Sequence, residues 1–143
     1  MTIRNDLSGK TDRQEEGAVA VEFALIAPVL LLIVAGILYF GQLFAIANSL
    51  QQLAAETARA SVRGIDSQER QQLANNFLAN SADRFPFLNA QRVQKDIEII
   101  GTGQHPSISV SLTYDLDGTF VALGNAAFGS DTTSLVRSSY LAY

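Results

Sequence analysis

Apolar side chains follow three different rhythms along the chain, and each rhythm predicts a different element. From Phe23 to Gly41 the sequence FALIAPVLLLIVAGILYFG contains no charged or amide side chain. Such a run approaches the roughly 20 residues that cross about 30 Å of hydrocarbon at about 1.5 Å per residue, so a transmembrane helix is expected. Pro28 lies early in it. In a bilayer the carbonyl freed by proline finds other partners, so a kink is expected there rather than an end. Tyr39 and Phe40 stand at the far edge of the run, at the depth where an amphipathic ring favours the membrane–water interface.

The second rhythm has the helical period. Leu43, Ile46, Leu50, Leu53 and Thr57 recur at alternating spacings of three and four, and Ala54, Ala58 and Val62 widen the stripe. Asn48, Gln51, Gln52, Glu56, Arg59 and Arg63 fall on the opposite face. This is the pattern of an amphipathic helix laid against a partner surface. Gly64 provides a C-terminal stop. One helix is therefore expected over residues 18–64, half in lipid and half packed on a domain. Asp66 can cap a second helix, with Glu69 three positions on as in a capping box. Leu73, Phe77 and Leu78 give that helix an apolar face to about Asn80, and Pro86 breaks the chain.

The third rhythm is alternation. Ile108, Val110, Leu112 and Tyr114 alternate with Ser109, Ser111 and Thr113, as a half-buried strand requires. Val93 to Ile100 reads as another strand, with Ile97 and Ile99 on one face. Gly101, Gly103 and Pro106 form a loop of hairpin length between the two. Asp117-Gly118 marks a turn, Phe120 to Phe128 fits either a short helix or a loop, and Thr132 to Tyr140 fits a third strand. The polar, turn-rich stretch MTIRNDLSGKTDRQEEG buries too little apolar surface to fold alone. The expected organisation is a leader at 1–17, the long helix at 18–64 with its span at about 23–41, and an outer domain at 65–143. The fold class is α+β, with the helix packed on a small antiparallel sheet.

Charge and composition narrow the picture. The 143 residues carry a net charge of -4, and the absence of a Lys/Arg cluster argues against a nucleic-acid partner. Without cysteine, neither disulfides nor thiolate chemistry is available. Arg4, Lys10 and Arg13 precede the apolar run, whereas no Lys or Arg occurs from Ala18 to Ala58. This bias places the N-terminus inside and the domain outside the cytoplasm; Asp6, Asp12, Glu15 and Glu16 count little in that rule. Ala45-Ile46-Ala47 has the small-x-small form of a signal-peptidase site, but a signal's apolar core is about 7–15 residues. Here the run is longer and the helical pattern continues through the site, which favours an anchor over a removed signal or a buried soluble helix.

Residues that carry chemistry are sparse. His105 is the sole histidine, before Pro106 in a loop, and has no second histidine or cysteine with which to bind zinc. No Ser-His-carboxylate arrangement stands out. Gly101-Thr102-Gly103 lacks the third glycine and helix of a dinucleotide loop. Asp115 and Asp117 precede Gly118 without later ligands, which reads as a turn rather than a cation site. No enzyme activity, cofactor, metal or small-molecule substrate is expected.

One short motif is more specific. In Gly17-Ala18-Val19-Ala20-Val21-Glu22-Phe23 a carboxylate stands at the entrance of an otherwise uncharged helix. At the bilayer centre a charge costs about 2.5–3.5 kcal/mol; at the edge the cost is smaller but still calls for a partner or for snorkelling. Read from physics alone, Glu22 marks the interface. The spacing of Gly17, Glu22, the aromatic Phe23 and the apolar run also resembles a type IV prepilin processing site. The wider block GAVAVEFALIAPVLLLIVAGILYFGQ resembles the TadE-like family of tight-adherence (Tad) pilus assembly proteins, over roughly residues 17–64.

The resemblance implies a minor, pilin-like subunit of a secretion or adhesion machine, held in the bacterial inner membrane with its domain in the periplasm or outside. Gly17 would precede the scissile bond and Ala18 would become the new N-terminus. Glu22, beside Phe23, would dock the helix among other pilin-like subunits. Cleavage creates an α-amine of reference pKa about 7.7–8.0, and a carboxylate inside a low-dielectric helix bundle satisfies that charge better than lipid can. The implied partners are the membrane, a prepilin peptidase, pilin-like subunits and Tad assembly proteins. Prepilin leaders commonly carry basic residues beside the glycine, whereas Glu15-Glu16 stand here. The rival readings are a membrane-tethered extracytoplasmic binding module with an uncleaved signal anchor, and a small enzyme on such an anchor.

Overall fold

The computed structural model describes residues 8–85, 87–100 and 107–142. The expected break at Pro86, the loop with Gly101, Gly103 and Pro106, and His105 lie outside the described residues. Two compact units, Met1–Leu38 and Tyr39–Tyr143, divide the chain.

Helix α1 spans Ser8–Ser61 and runs through Pro28 without ending there. It begins within the polar stretch rather than at about residue 18. The reason is cooperative: a turn nucleated in the apolar run propagates at little cost through good helix formers such as Arg13, Gln14, Glu15 and Glu16. In the first unit the large side chains from Val19 to Leu38 are exposed, Leu25 and Leu31 among them. α1 contains the one candidate membrane span among the described residues. The N-terminal apolar helix points to membrane anchoring.

The second unit is built on the outer part of α1. Ile46, Leu50, Leu53, Ala54 and Ala58 are buried, as the helical stripe requires. Thr57 is also fully buried, and its hydroxyl donates to the Leu53 carbonyl at 2.7 Å, which removes the cost of an unpaired polar group. Val62 leaves the stripe: the helix stops at Ser61 and Val62 is exposed. Gly64 does mark the corner, but no positive φ is involved. Helix α2 approaches so closely that a Cβ at Gly64 would lie 2.7 Å from the Arg70 backbone nitrogen.

Helix α2 spans Ser67–Ser81 and is capped by Asp66, whose carboxylate accepts from the Glu69 backbone N–H at 2.7 Å. The Glu69 carboxylate accepts in return from the Ile65 N–H at 2.8 Å, one residue before the cap. Ala74 and Leu78 are buried on its inner face, with Phe77 packed against them.

Strands β1 (Val93–Ile100), β2 (Ser107–Asp115) and β3 (Ser134–Ala142) form an antiparallel sheet in the order β1-β2-β3. On the core face Ile97 opposes Val110 and Ile99 opposes Ile108, so both isoleucines lie where the alternation put them. Ile108, Val110, Leu112 and Tyr114 of the central strand are all buried and complete the core with α1. The other face is largely polar, with rows such as Asp96, Ser111 and Ser138 across the three strands. The structure is thus a long apolar helix packed on a small antiparallel sheet, of the α+β class. The ambiguous segment is helix α3, Phe120–Phe128, ended by Gly129 at φ 67. A left-handed position of that kind favours glycine. Before it, the Asp117 N–H donates to the Asp115 carboxylate at 2.9 Å and Gly118 has φ 69, which makes this acidic pair a turn.

Candidate functional site: the N-terminal helix and its outer end

Gly17, Ala18, Glu22 and Phe23 all lie on α1, and all four are exposed. Nothing lies within 4 Å of where a Cβ on Gly17 would stand. Ala18 and Glu22 are related by one helical turn, so they share a face and are separated by about 6 Å along the axis. Gly17 and Phe23 fall to either side of that line. Glu22 is the sole charged residue between Gly17 and Ala55.

This arrangement has a chemical consequence. The Gly17–Ala18 bond lies inside a helix, so a peptidase that needs an extended backbone could cut there only after the first turns opened. Glycine makes that easier, because it is about 1 kcal/mol less favourable than alanine within a helix. A helix beginning at Ala18 would carry Glu22 near its N-terminal turn, where a carboxylate complements the positive end of the macrodipole.

Sequence reasoning missed a second constellation, at the outer end of the apolar run. Tyr39 is not an interface ring: it is 4% exposed and belongs to the core of the second unit. Its hydroxyl donates to Asn125 Oδ1 at 3.0 Å. The Asn125 amide donates in turn to the Thr132 carbonyl at 2.7 Å. Gly124 of α3 faces the tyrosine ring so closely that a Cβ there would lie 2.1 Å from Tyr39 Cδ2. The rings of Tyr39 and Phe128 are 5.3 Å apart. Val121, Gly124, Asn125 and Phe128 thus form the inward face of α3, at helical spacing. Gly124 followed by the lone polar side chain of the segment, Asn125, was the available signal. Phe40, by contrast, is exposed.

Among the described residues no group of three His, Cys, Asp or Glu could hold a metal. A cleft of about 200 Å³ is lined by Leu78, Ala79, Ala82, Ala90, Val93 and Lys95. Ligand sites are commonly about 300–1,000 Å³ with several convergent polar groups. Here the one polar side chain in the lining, Lys95, already donates from Nζ to Asn75 Oδ1 at 2.6 Å.

The family model for TadE-like proteins matches residues 17–59, the same family that the motif resembles. The match covers the helix from Gly17 through the apolar run and most of the amphipathic stripe; the sheet lies outside it. The match suggests a Tad pilus-associated, pilin-like protein. No curated protein and no solved structure matches the chain.

Proposed function

We propose that this chain is a non-enzymatic, minor pilin-like subunit acting in Tad-type pilus assembly, and that a prepilin peptidase cuts it after Gly17. The observation that carries the reading is where the family match falls: on the exposed helix that presents Gly17, Ala18 and Glu22 at the start of an uncharged run. The match stops short of the sheet, so it is the helix that likens this chain to pilin-like proteins. In this reading the chain sits in the inner membrane with its N-terminus inside and its domain in the periplasm or outside. The helix associates with other pilin-like subunits, and the domain meets Tad assembly proteins. Phe23 packs beside Glu22 at the docking face.

The roles of the two polar positions differ, and so do their tests. A bulky residue in place of Gly17 should block the peptidase, leaving a chain heavier by residues 1–17 in intact-mass measurement of the membrane-extracted protein. Glu22→Ala leaves the scissile bond in place and eases insertion, so cleavage should largely persist. It should lose cross-linking to pilin-like subunits, because the partner's terminal amine would be left unpaired in a dry environment. Undiminished cross-linking by Glu22→Ala would reduce Glu22 to an interface marker. A native chain that keeps residues 1–17 in cells with active peptidase would remove the processing step.

A further inference from the structure

We infer that α3 is a second membrane contact: a short helix lying in the lipid interface beside the outer end of the α1 span, with Phe120 and Leu123 directed into the bilayer. The inference rests on the anchoring of α1 but not on any role in a pilus.

Three observations converge on it. The first is the chemistry of the outward face. The sequence FVALGNAAF carries no charge, and its one polar side chain, Asn125, is turned inward and consumed by Tyr39 and Thr132. What remains outside is apolar: Leu123 is 70% exposed and Phe120 43%, with Ala126 and Ala127 exposed beside them. Phe120, Leu123 and Ala127 share a face at spacings of three and four. A helix at a water-facing surface ordinarily places polar side chains there, and α3 places none.

The second observation is height. α3 is fixed to α1 at Tyr39 by the Gly124 contact, the hydroxyl bond to Asn125 and the ring of Phe128. Tyr39 is itself a residue of the run without charged or amide side chains that ends at Gly41. At about 1.5 Å per residue it lies within about 3 Å of the end of that run along the helix axis. If the run crosses the bilayer, α3 is held at the level where the bilayer meets water.

The third is the company at that level. Phe40 and Phe44 are 53% and 70% exposed, on one face of α1 and within about 8 Å of Tyr39 along the axis. Phe40 packs edge-on against the Tyr39 ring at 5.1 Å between centroids, at the depth where membrane proteins concentrate aromatic side chains. The first charged residue on α1 beyond this level is Glu56. An outward face without a polar side chain, pinned at Tyr39 within the apolar run, commits its occupant to be lipid rather than a folded partner. A helix of this kind, apolar outside and pinned inside, would fix the depth of the domain.

The absence of native cysteine makes the test direct. Full-length chains with a single Leu123→Cys, Phe120→Cys, Phe40→Cys or Gln94→Cys change are labelled with an environment-sensitive fluorophore. They are then reconstituted into phosphatidylcholine/phosphatidylglycerol vesicles containing shallow spin-labelled lipid. All four positions are exposed, so the changes leave the core intact. Labels at Leu123 and Phe120 should emit to the blue and be quenched by the spin-labelled lipid as strongly as the label at Phe40. The label at Gln94, on the polar face of the sheet, should be unaffected. Quenching at Phe40 without quenching at Leu123 and Phe120 overturns the inference and leaves the anchor standing. Quenching at neither level overturns both. A blue shift at Leu123 that grows with the protein-to-lipid ratio, without lipid quenching, would assign the face to a neighbouring subunit instead.

Discussion

Gly124→Ala adds a single methyl group, and the geometry makes its effect depend on one other residue. The new Cβ would lie 2.1 Å from Tyr39 Cδ2 and 2.7 Å from Cε2, against about 3.5–4.0 Å for comfortable carbon contacts. A flexible side chain could yield. A tyrosine ring 4% exposed in the core can do so only by moving as a plate, and that movement breaks the 3.0 Å bond from its hydroxyl to Asn125. Overpacking of this kind costs about 1–3 kcal/mol, and the lost hydrogen bond about 0.5–1.5 kcal/mol. Against these stands the gain of alanine over glycine inside a helix, about 0.5–1 kcal/mol. The net expectation is a loss of about 1–3 kcal/mol. In a Tyr39→Ala background the clash and the bond are both gone and only the propensity gain remains. There Gly124→Ala should stabilise by about 0.5–1 kcal/mol, a reversal of sign worth about 1.5–4 kcal/mol of coupling. Urea titration of the detergent-solubilised full chain, followed by the near-ultraviolet circular dichroism of its tyrosines, measures all four corners. If Gly124→Ala has the same sign in both backgrounds, the close packing of α3 on Tyr39 is refuted.

Leu53→Asp places a carboxylate at a fully buried position of the α1 stripe; it should cost several kcal/mol, and membranes carrying it should show rapid proteolysis of the outer domain. A variant as resistant as the parent would disprove the packing of helix on sheet. Asp66→Ala removes the α2 cap and should cost about 1 kcal/mol, with amide exchange accelerated most in the first turn of that helix. A reporter active only outside the cytoplasm, fused after Tyr143, should be active; activity of a strictly cytoplasmic reporter at the same place would invert the topology.

The elements that the sequence revealed are those whose two sides meet different surroundings. Leu43 to Ala58 alternate between core and solvent with the period of a helix, and Ile108 to Tyr114 with the period of a strand, so burial writes itself into the order of residues. Asp66 and Glu69 were legible because capping is local. α3 was not, because it is apolar on both its inward and outward faces and therefore has no period to read. Tyr39 was misplaced for a related reason. Position alone suggests an interface ring, and the partners that bury it, Gly124 and Asn125, are remote in sequence. Gly64 was identified as a corner, but the cause, the close approach of Arg70, belongs to the tertiary structure. At Gly17 and Glu22 the motif was plain, and the structure adds only their exposure and the shared face of Ala18 and Glu22.

The distance along the chain between these contacts also constrains how the protein is made. Tyr39 waits for Asn125, separated from it by 86 residues, and Gln51 waits for the Ser138 carbonyl, separated by 87. Synthesis proceeds from the N-terminus, so α1 is complete long before the strands that cover Ile46, Leu50 and Leu53 exist. For that interval a nascent chain carries an uncovered apolar stripe directly beside an apolar run. Pairing of distant segments is slow relative to local helix formation, and exposed apolar surface invites wrong partners. The late strand β3 therefore acts as a release point: a chain truncated before Ser134 would keep α1, β1 and β2 but lose Leu135 and Leu141 from the margin of the core and leave β2 an unpaired edge, and would be a substrate for chaperones or proteases rather than a smaller version of the same protein.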